Sequence, residues 1–86
     1  MELAKYVKFR QEKFGGVLFD TLTEKVYALN HAAAAVIREV RAGRDVSQIT
    51  VRLKDGFQDP AGAIERDVQA LIGELQRKGL MKDTQA

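Results

Sequence analysis

The stretch KVYALNHAAAAVIREV, residues 25–40, contains the change from a strand pattern to a helix pattern that decides the fold. Its first part, Lys25–Leu29, includes β-branched and aromatic side chains, which favours a strand. Asn30 follows with a side chain suited to capping a helix, and Val36 and Val40 then recur at helical spacing. The segment therefore predicts that a strand ends and a helix begins at Asn30.

Two further strand patterns lie upstream of this segment. The first is centred on Val7 and Phe9, which alternate with basic residues, and the second runs from Phe14 to Phe19. Polar residues at 11–13 and 20–24 separate the three patterns and predict turns. Three successive strands with short connections predict an antiparallel meander, and so small a sheet needs a cover over one face.

A second helix is predicted between Gly43, which ends the first helix, and Gly56. We expect it to begin at Asp45 or Ser47. The side chains that share its apolar side are Val46, Ile49 and Leu53.

The third helix has the strongest start signal in the chain, because Asp59 is suited to the cap and Pro60 to the first helical position. Gly79 predicts its end, and we expect Leu80 and Met81 to fold back onto the core. Its apolar stripe consists of Ile64, Val68, Leu71, Ile72 and Leu75. Three strands followed by three helices predict an α+β fold of the winged helix-turn-helix type.

The composition is that of one small globular domain spanning residues 1–86. Hydrophobic residues make up 45% of the chain and charged residues 30%, which suits one modest core. The absence of cysteine excludes thiolate metal sites, and one histidine excludes a site built from several, so we expect no metal and no cofactor. We find no signal or membrane segment, and therefore expect a cytoplasmic protein without a membrane partner.

The charge balance does not favour nucleic-acid binding. The chain has 14 basic and 12 acidic residues, spread evenly along its length, whereas phosphate binding needs clustered cations. The third helix also carries acids near its start, where a winged helix would approach DNA. A nucleic-acid-binding winged helix nevertheless stays open as the alternative function, with a purely structural subunit as a third possibility.

No arrangement of side chains indicates catalysis. His31 is a single residue in the first turn of a helix, and Glu65 and Asp67 are two positions apart, so they point in different directions. Gly15 and Gly16 lie within a strand pattern without the lysine that follows a phosphate loop, and predict a bulge or a close backbone approach. We therefore expect a binding module and no enzyme. An exposed last strand offers a peptide an edge to extend.

Several segments together resemble the PqqD-like family, the recognition elements of ribosomally made, post-translationally modified peptides. They are Ala28-Leu29-Asn30-His31-Ala32-Ala33, the spacing from Gly43 to Ile49 and Leu53, Glu65-Arg66-Asp67-Val68 and Leu75-Gln76-Arg77-Lys78-Gly79-Leu80. The segment Arg10–Gly16 is similar to the region between the first and second strands of those family members that are paired with radical-SAM maturases, including the mycofactocin chaperone. The resemblance covers roughly residues 7–81 and rests on the order and spacing of these segments.

The resemblance implies a winged helix-turn-helix and the role of a non-catalytic peptide chaperone. Such a protein holds the leader region of a precursor peptide as an added strand and presents it to a modifying enzyme, here a radical-SAM maturase. The implied edge strand is Lys25, Val26, Tyr27, Ala28 and Leu29. The implied helix wall is drawn from Ile64, Asp67, Val68, Ala70, Leu71 and Glu74. The expected partners are the leader peptide and the modifying enzyme, with the chain as a monomer or homodimer.

Overall fold

A computed structural model describes residues 1–56 and 62–82. The elements in chain order are β1 (Glu2–Leu3), β2 (Val7–Glu12), β3 (Gly15–Asp20), β4 (Lys25–Leu29), α1 (His31–Arg41), α2 (Val46–Gly56), α3 (Ala63–Arg77) and β5 (Met81–Lys82). The predicted α+β order of three strands and three helices is confirmed. Within the described ranges, no helix is long and apolar enough to span a bilayer.

The meander is antiparallel with the order β2-β3-β4, so β2 and β4 form its two edges. The prediction of a turn at Gln11-Glu12-Lys13 is wrong. Strand β2 continues to Glu12, which pairs with Gly15, and Lys13 and Phe14 make the turn. The polar residues 11 and 12 are compatible with a strand because an edge strand exposes much of its surface to water.

Gly15 makes the close backbone approach that its place in a strand predicts. A Cβ atom at this position would lie 2.2 Å from the carbonyl oxygen of Leu29, and the residue has a φ of +142°. Both features require glycine. The pairing of β2 with β3 runs without interruption from Glu12 to Val7, so there is no bulge.

The helix starts follow local hydrogen bonds. The side chain of Asn30 accepts from the N–H of Ala33 at 2.8 Å, which confirms the predicted cap of α1. Asp45 caps α2, because its carboxylate accepts from the N–H of Gln48 at 2.9 Å while the Gln48 side chain accepts from the N–H of Asp45. The predicted cap of the third helix at Asp59 and Pro60 lies outside the described residues.

One core joins the sheet to all three helices. Fully buried side chains from β3, α1, α2 and α3, with one from the C-terminal segment, meet there: Leu18, Ile37, Val40, Ile49, Val68 and Leu80. Leu80 and Met81 return to the core as predicted. The short pair β1-β5, in which Leu3 lies opposite Met81, was not predicted.

Candidate functional site

The edge strand β4 directs the peptide groups of two residues away from the sheet, as the hydrogen-bond pattern shows. The N–H of Thr21 donates to the carbonyl oxygen of Tyr6 at 2.9 Å, which makes Val7 and Asp20 a non-hydrogen-bonded pair. Because the two kinds of pair alternate, Asp20 directs its N–H and C=O toward β4. The N–H of Glu24 donates to the backbone carbonyl oxygen of Asp20 at 2.8 Å, which agrees with this direction of the Asp20 carbonyl.

The same alternation runs along β3 and into β4. Leu18 directs its peptide groups toward β4, as Asp20 does, and its partner there is Tyr27. Tyr27 is therefore bonded to the sheet, whereas Val26 and Ala28 direct their N–H and C=O groups outward. Both residues are exposed, and 62% of Val26 is accessible. The edge thus has four backbone groups that no described strand pairs with.

An open cavity of about 370 Å³ continues from the end of this edge. We call it the apolar groove; it lies between the start of α1, the end of α2 and one face of α3. Its lining residues are Asn30, Ala32, Ala33, Val36, Leu53, Ile64, Asp67, Val68 and Leu71. Most of these side chains are apolar, so the groove can accept apolar side chains from a ligand.

Four of the predicted helix-wall residues lie together in the groove: Ile64, Asp67, Val68 and Leu71. Their spacing puts them on one face of α3. The other two lie elsewhere. Ala70 is exposed outside the groove, and Glu74 is held by Arg77 at 2.6 Å and by Lys78 at 3.3 Å. Peptide contact by any of these six residues stays a prediction.

The predicted edge residues lie next to the groove and do not line it. Tyr27 is half-buried, and the Lys78 Nζ lies 5.7 Å from the centre of its ring. The C-terminal end of α3 is therefore near Tyr27, while its N-terminal half lies near Asn30. The sheet edge and the groove are therefore neighbours, joined at Asn30, which follows β4 and lines the groove.

Sequence reasoning missed the contribution of α1 and α2 to this site. Ala32 and Ala33 lie in an alanine run that helix propensity alone explains, and Val36 and Leu53 carry the helical periodicity of core residues. The one feature of the sequence that could have indicated a groove here is the small size of the alanines directly after the edge strand. Small side chains there leave the space that the groove occupies.

Charged groups shape the two ends of the site differently. Hydrogen bonds from Arg77 and then Lys78 lower the pKa of Glu74 below its ordinary 4.5. The carboxylate of Asp67 makes no hydrogen bond or ion pair with the part of the chain that the structure describes. No group of acidic or histidine side chains within residues 1–56 and 62–82 is arranged to hold a metal ion.

This order of strands and helices, with an open sheet edge beside an apolar groove, defines a small α+β domain of the winged helix-turn-helix type. The chain belongs to the PqqD family: residues 15–81 match the family described as Coenzyme PQQ synthesis protein D (PqqD). The resemblance noted from the sequence is confirmed. No curated protein matches the chain.

Two solved structures share the fold over nearly the whole chain. "Lasso peptide synthetase B1 complexed with the leader peptide" is similar with a TM-score of 0.84 and 23% identity, covering 95% of this chain and 96% of that one. "TbiB1 in Complex with the TbiA(beta) Leader Peptide" is similar with a TM-score of 0.88 and 16% identity, covering 100% of both chains. At these identities the likeness shows a common fold.

Proposed function

We propose that this protein is a non-catalytic peptide chaperone that binds the leader region of a ribosomally made precursor peptide. The leader adds a strand to the edge of β4 and is presented to a modifying enzyme. The observation that carries the proposal is the free edge at Val26 and Ala28, directly beside the apolar groove. The two similar structures, each a complex with a leader peptide, support it.

The groove supplies the net affinity in this proposal. Four backbone hydrogen bonds contribute about 4 kcal/mol at roughly 1 kcal/mol each. Ordering a disordered peptide costs about 2–5 kcal/mol, so the edge alone nearly breaks even. Two apolar side chains buried against Val68 and Leu71 would each add about 1.5–3 kcal/mol. The edge thus sets the direction of the peptide, and the groove holds it.

The modifying enzyme is proposed to be a radical-SAM maturase that contacts the β2-β3 hairpin in the cytosol. The resemblance of Arg10–Gly16 to members with such partners supports this assignment. The hairpin starts at the edge strand β2, on the side of the sheet opposite to β4. A maturase at the hairpin and a leader at β4 would therefore not compete for the same backbone groups.

A backbone-amide NMR titration tests the proposal. Short synthetic peptides encoded beside this gene are added to the labelled chain, with a random DNA duplex as the control. We expect peptide-induced shifts at Lys25–Leu29, at the start of α1 and along α3. Shifts with the duplex that weaken steeply with salt, and none with the peptides, would instead establish a nucleic-acid-binding winged helix.

A further inference from the structure

Two residues that line the apolar groove have polar side chains, Asn30 and Asp67. Of these two, only the Asp67 side chain makes no hydrogen bond or ion pair with the described residues. The other polar side chain of the lining is that of Asn30, whose oxygen already accepts from the N–H of Ala33 at 2.8 Å. Asp67 is exposed and lies on α3 between Ile64 and Leu71. A peptide seated in the groove therefore passes an unpaired carboxylate.

We infer that Asp67 makes this site selective for leader segments that carry a lysine or arginine beside their apolar anchor. The inference rests on the proposed function. An apolar side chain laid over Asp67 would remove water from a charge without replacing its hydrogen bonds, which is unfavourable. A guanidinium or ammonium group would satisfy the carboxylate with charge-assisted hydrogen bonds.

The spacing of the required residues follows from the helix face. Asp67 and Leu71 are one helical turn apart, about 6 Å along the axis. Alternate residues of an extended peptide lie on one side of the strand, about 6.6 Å apart. A side chain anchored against Leu71 therefore places the side chain two positions away beside Asp67.

The far end of the site holds two cations, Arg77 and Lys78, and the carboxylate of Glu74 that pairs with both. Lys78 lies over the Tyr27 ring, and Arg77 and Lys25 are nearby in the chain. Lys78 follows Asp67 by eleven positions, about 16 Å along the helix axis. Lys25, Arg77 and Lys78 outnumber the carboxylates of Glu24 and Glu74 there by one, so a basic leader residue is favoured at the Asp67 end.

Selection from a phage-displayed library of random dodecapeptides tests the inference without a known precursor. On the unaltered chain, we expect enriched peptides to carry lysine or arginine two positions from an aliphatic or aromatic residue. On Asp67→Lys, we expect aspartate or glutamate to replace the basic residue. For one selected peptide, Asp67→Asn should weaken binding about fivefold to tenfold, since the carboxylate is partly solvated.

Glu65→Gln is the matched control. It makes the same change of net charge on the same helix, and Glu65 does not line the groove, so binding should change less than twofold. The sharpest readout is the charge exchange, in which Asp67→Lys regains affinity for the peptide whose lysine has become glutamate. Circular dichroism of each variant verifies that α3 is folded.

The outcomes separate the inference from the proposed function. Peptides that depend on the β4 edge but show no preferred basic position would overturn the role of Asp67 and leave leader binding intact. Equal losses for Asp67→Asn and Glu65→Gln would overturn it as well, since they would indicate general charge attraction. An empty selection together with a flat NMR titration would overturn both proposals.

Discussion

The Nζ atom of Lys78 lies 5.7 Å from the centre of the Tyr27 ring, so the last turn of α3 is fastened to the edge strand β4. Lys78 also pairs with Glu74 at 3.3 Å, one helical turn earlier. This contact joins the end of α3 to β4 at the place where the proposed peptide site begins.

Removal of this contact should loosen the site. We expect Lys78→Ala to lower the free energy of unfolding by about 0.5–1 kcal/mol, the usual range for a solvated cation–π contact. Thermal unfolding followed by circular dichroism measures the change. Lys78→Arg keeps the cation over the ring and serves as the control, which should unfold within about 1 °C of the unaltered chain.

Proline at the free edge tests the outward direction of the Val26 N–H. Val26→Pro should weaken leader-peptide binding about tenfold, because the added strand loses a hydrogen bond and meets the pyrrolidine ring. Val26→Ala removes the side chain but keeps the N–H, and should bind within about threefold of the unaltered chain. Fluorescence anisotropy with a labelled peptide gives both affinities. Equal binding by the two variants would contradict the assigned edge.

The groove face of α3 should matter more than its exposed face. Leu71→Ala removes an apolar wall of the cavity and should weaken peptide binding about tenfold. Ala70→Ser changes the neighbouring exposed residue, and we expect little effect on binding because that side chain lies outside the cavity. If the Ala70 variant showed the larger loss, the peptide would lie on another face of the helix.

Asp20 should make stability depend on pH in the acid range. Burial raises the pKa of Asp20, but the N–H groups of Thr23 and Leu22, which donate at 3.1 and 2.9 Å, together with the Thr23 hydroxyl and the charge of Lys25, leave the pKa below its ordinary 3.8. The stabilisation is therefore complete above about pH 4–5 and is lost as the pH falls through the lowered value. Asp20→Asn should reduce the dependence of the melting temperature on pH between pH 2 and 5. An unchanged acid slope would exclude this carboxylate as a source.

Gly15 should tolerate no side chain. Gly15→Ala places a Cβ atom against the Leu29 carbonyl at a φ of +142°, and should cost about 2–5 kcal/mol of stability. Gly73→Ala is the contrasting change, since its Cβ would meet the Arg77 side chain at an ordinary 3.5 Å. It should raise stability by about 0.5–1 kcal/mol because it removes glycine from a helix. Urea unfolding of both variants checks the difference in sign.

Local signals predicted much of this fold, and the failures have physical causes. The cap at Asn30 and the strand before it depend on neighbouring residues, so the sequence carried them. The turn after β2 was misplaced because the polar residues Gln11 and Glu12 are tolerated on an edge strand. The groove residues Ala32 and Ala33 were not foreseen, since a helix favours alanine whether or not it borders a cavity.

The short pair of β1 with β5 could not be read from the sequence. Each strand has two residues, too few for a periodic pattern, and their pairing joins segments from opposite ends of the described chain. The hydrogen bond from the Tyr6 hydroxyl to the Gly79 carbonyl depends on the same meeting. Contacts of this kind form because the core has already brought both segments together.

The pairing of Glu2 with Lys82 means that the polypeptide enters and leaves this domain at one point, with Cα atoms about 5 Å apart. This geometry suits domain insertion, because a host protein could carry the domain in a surface loop while the two ends of that loop stay close together. The same closeness permits circular permutation, with a short linker across this gap and new ends at the exposed turn of Lys13 and Phe14. A permuted chain would keep β4, α1 and α3 continuous, so its peptide site would be unbroken.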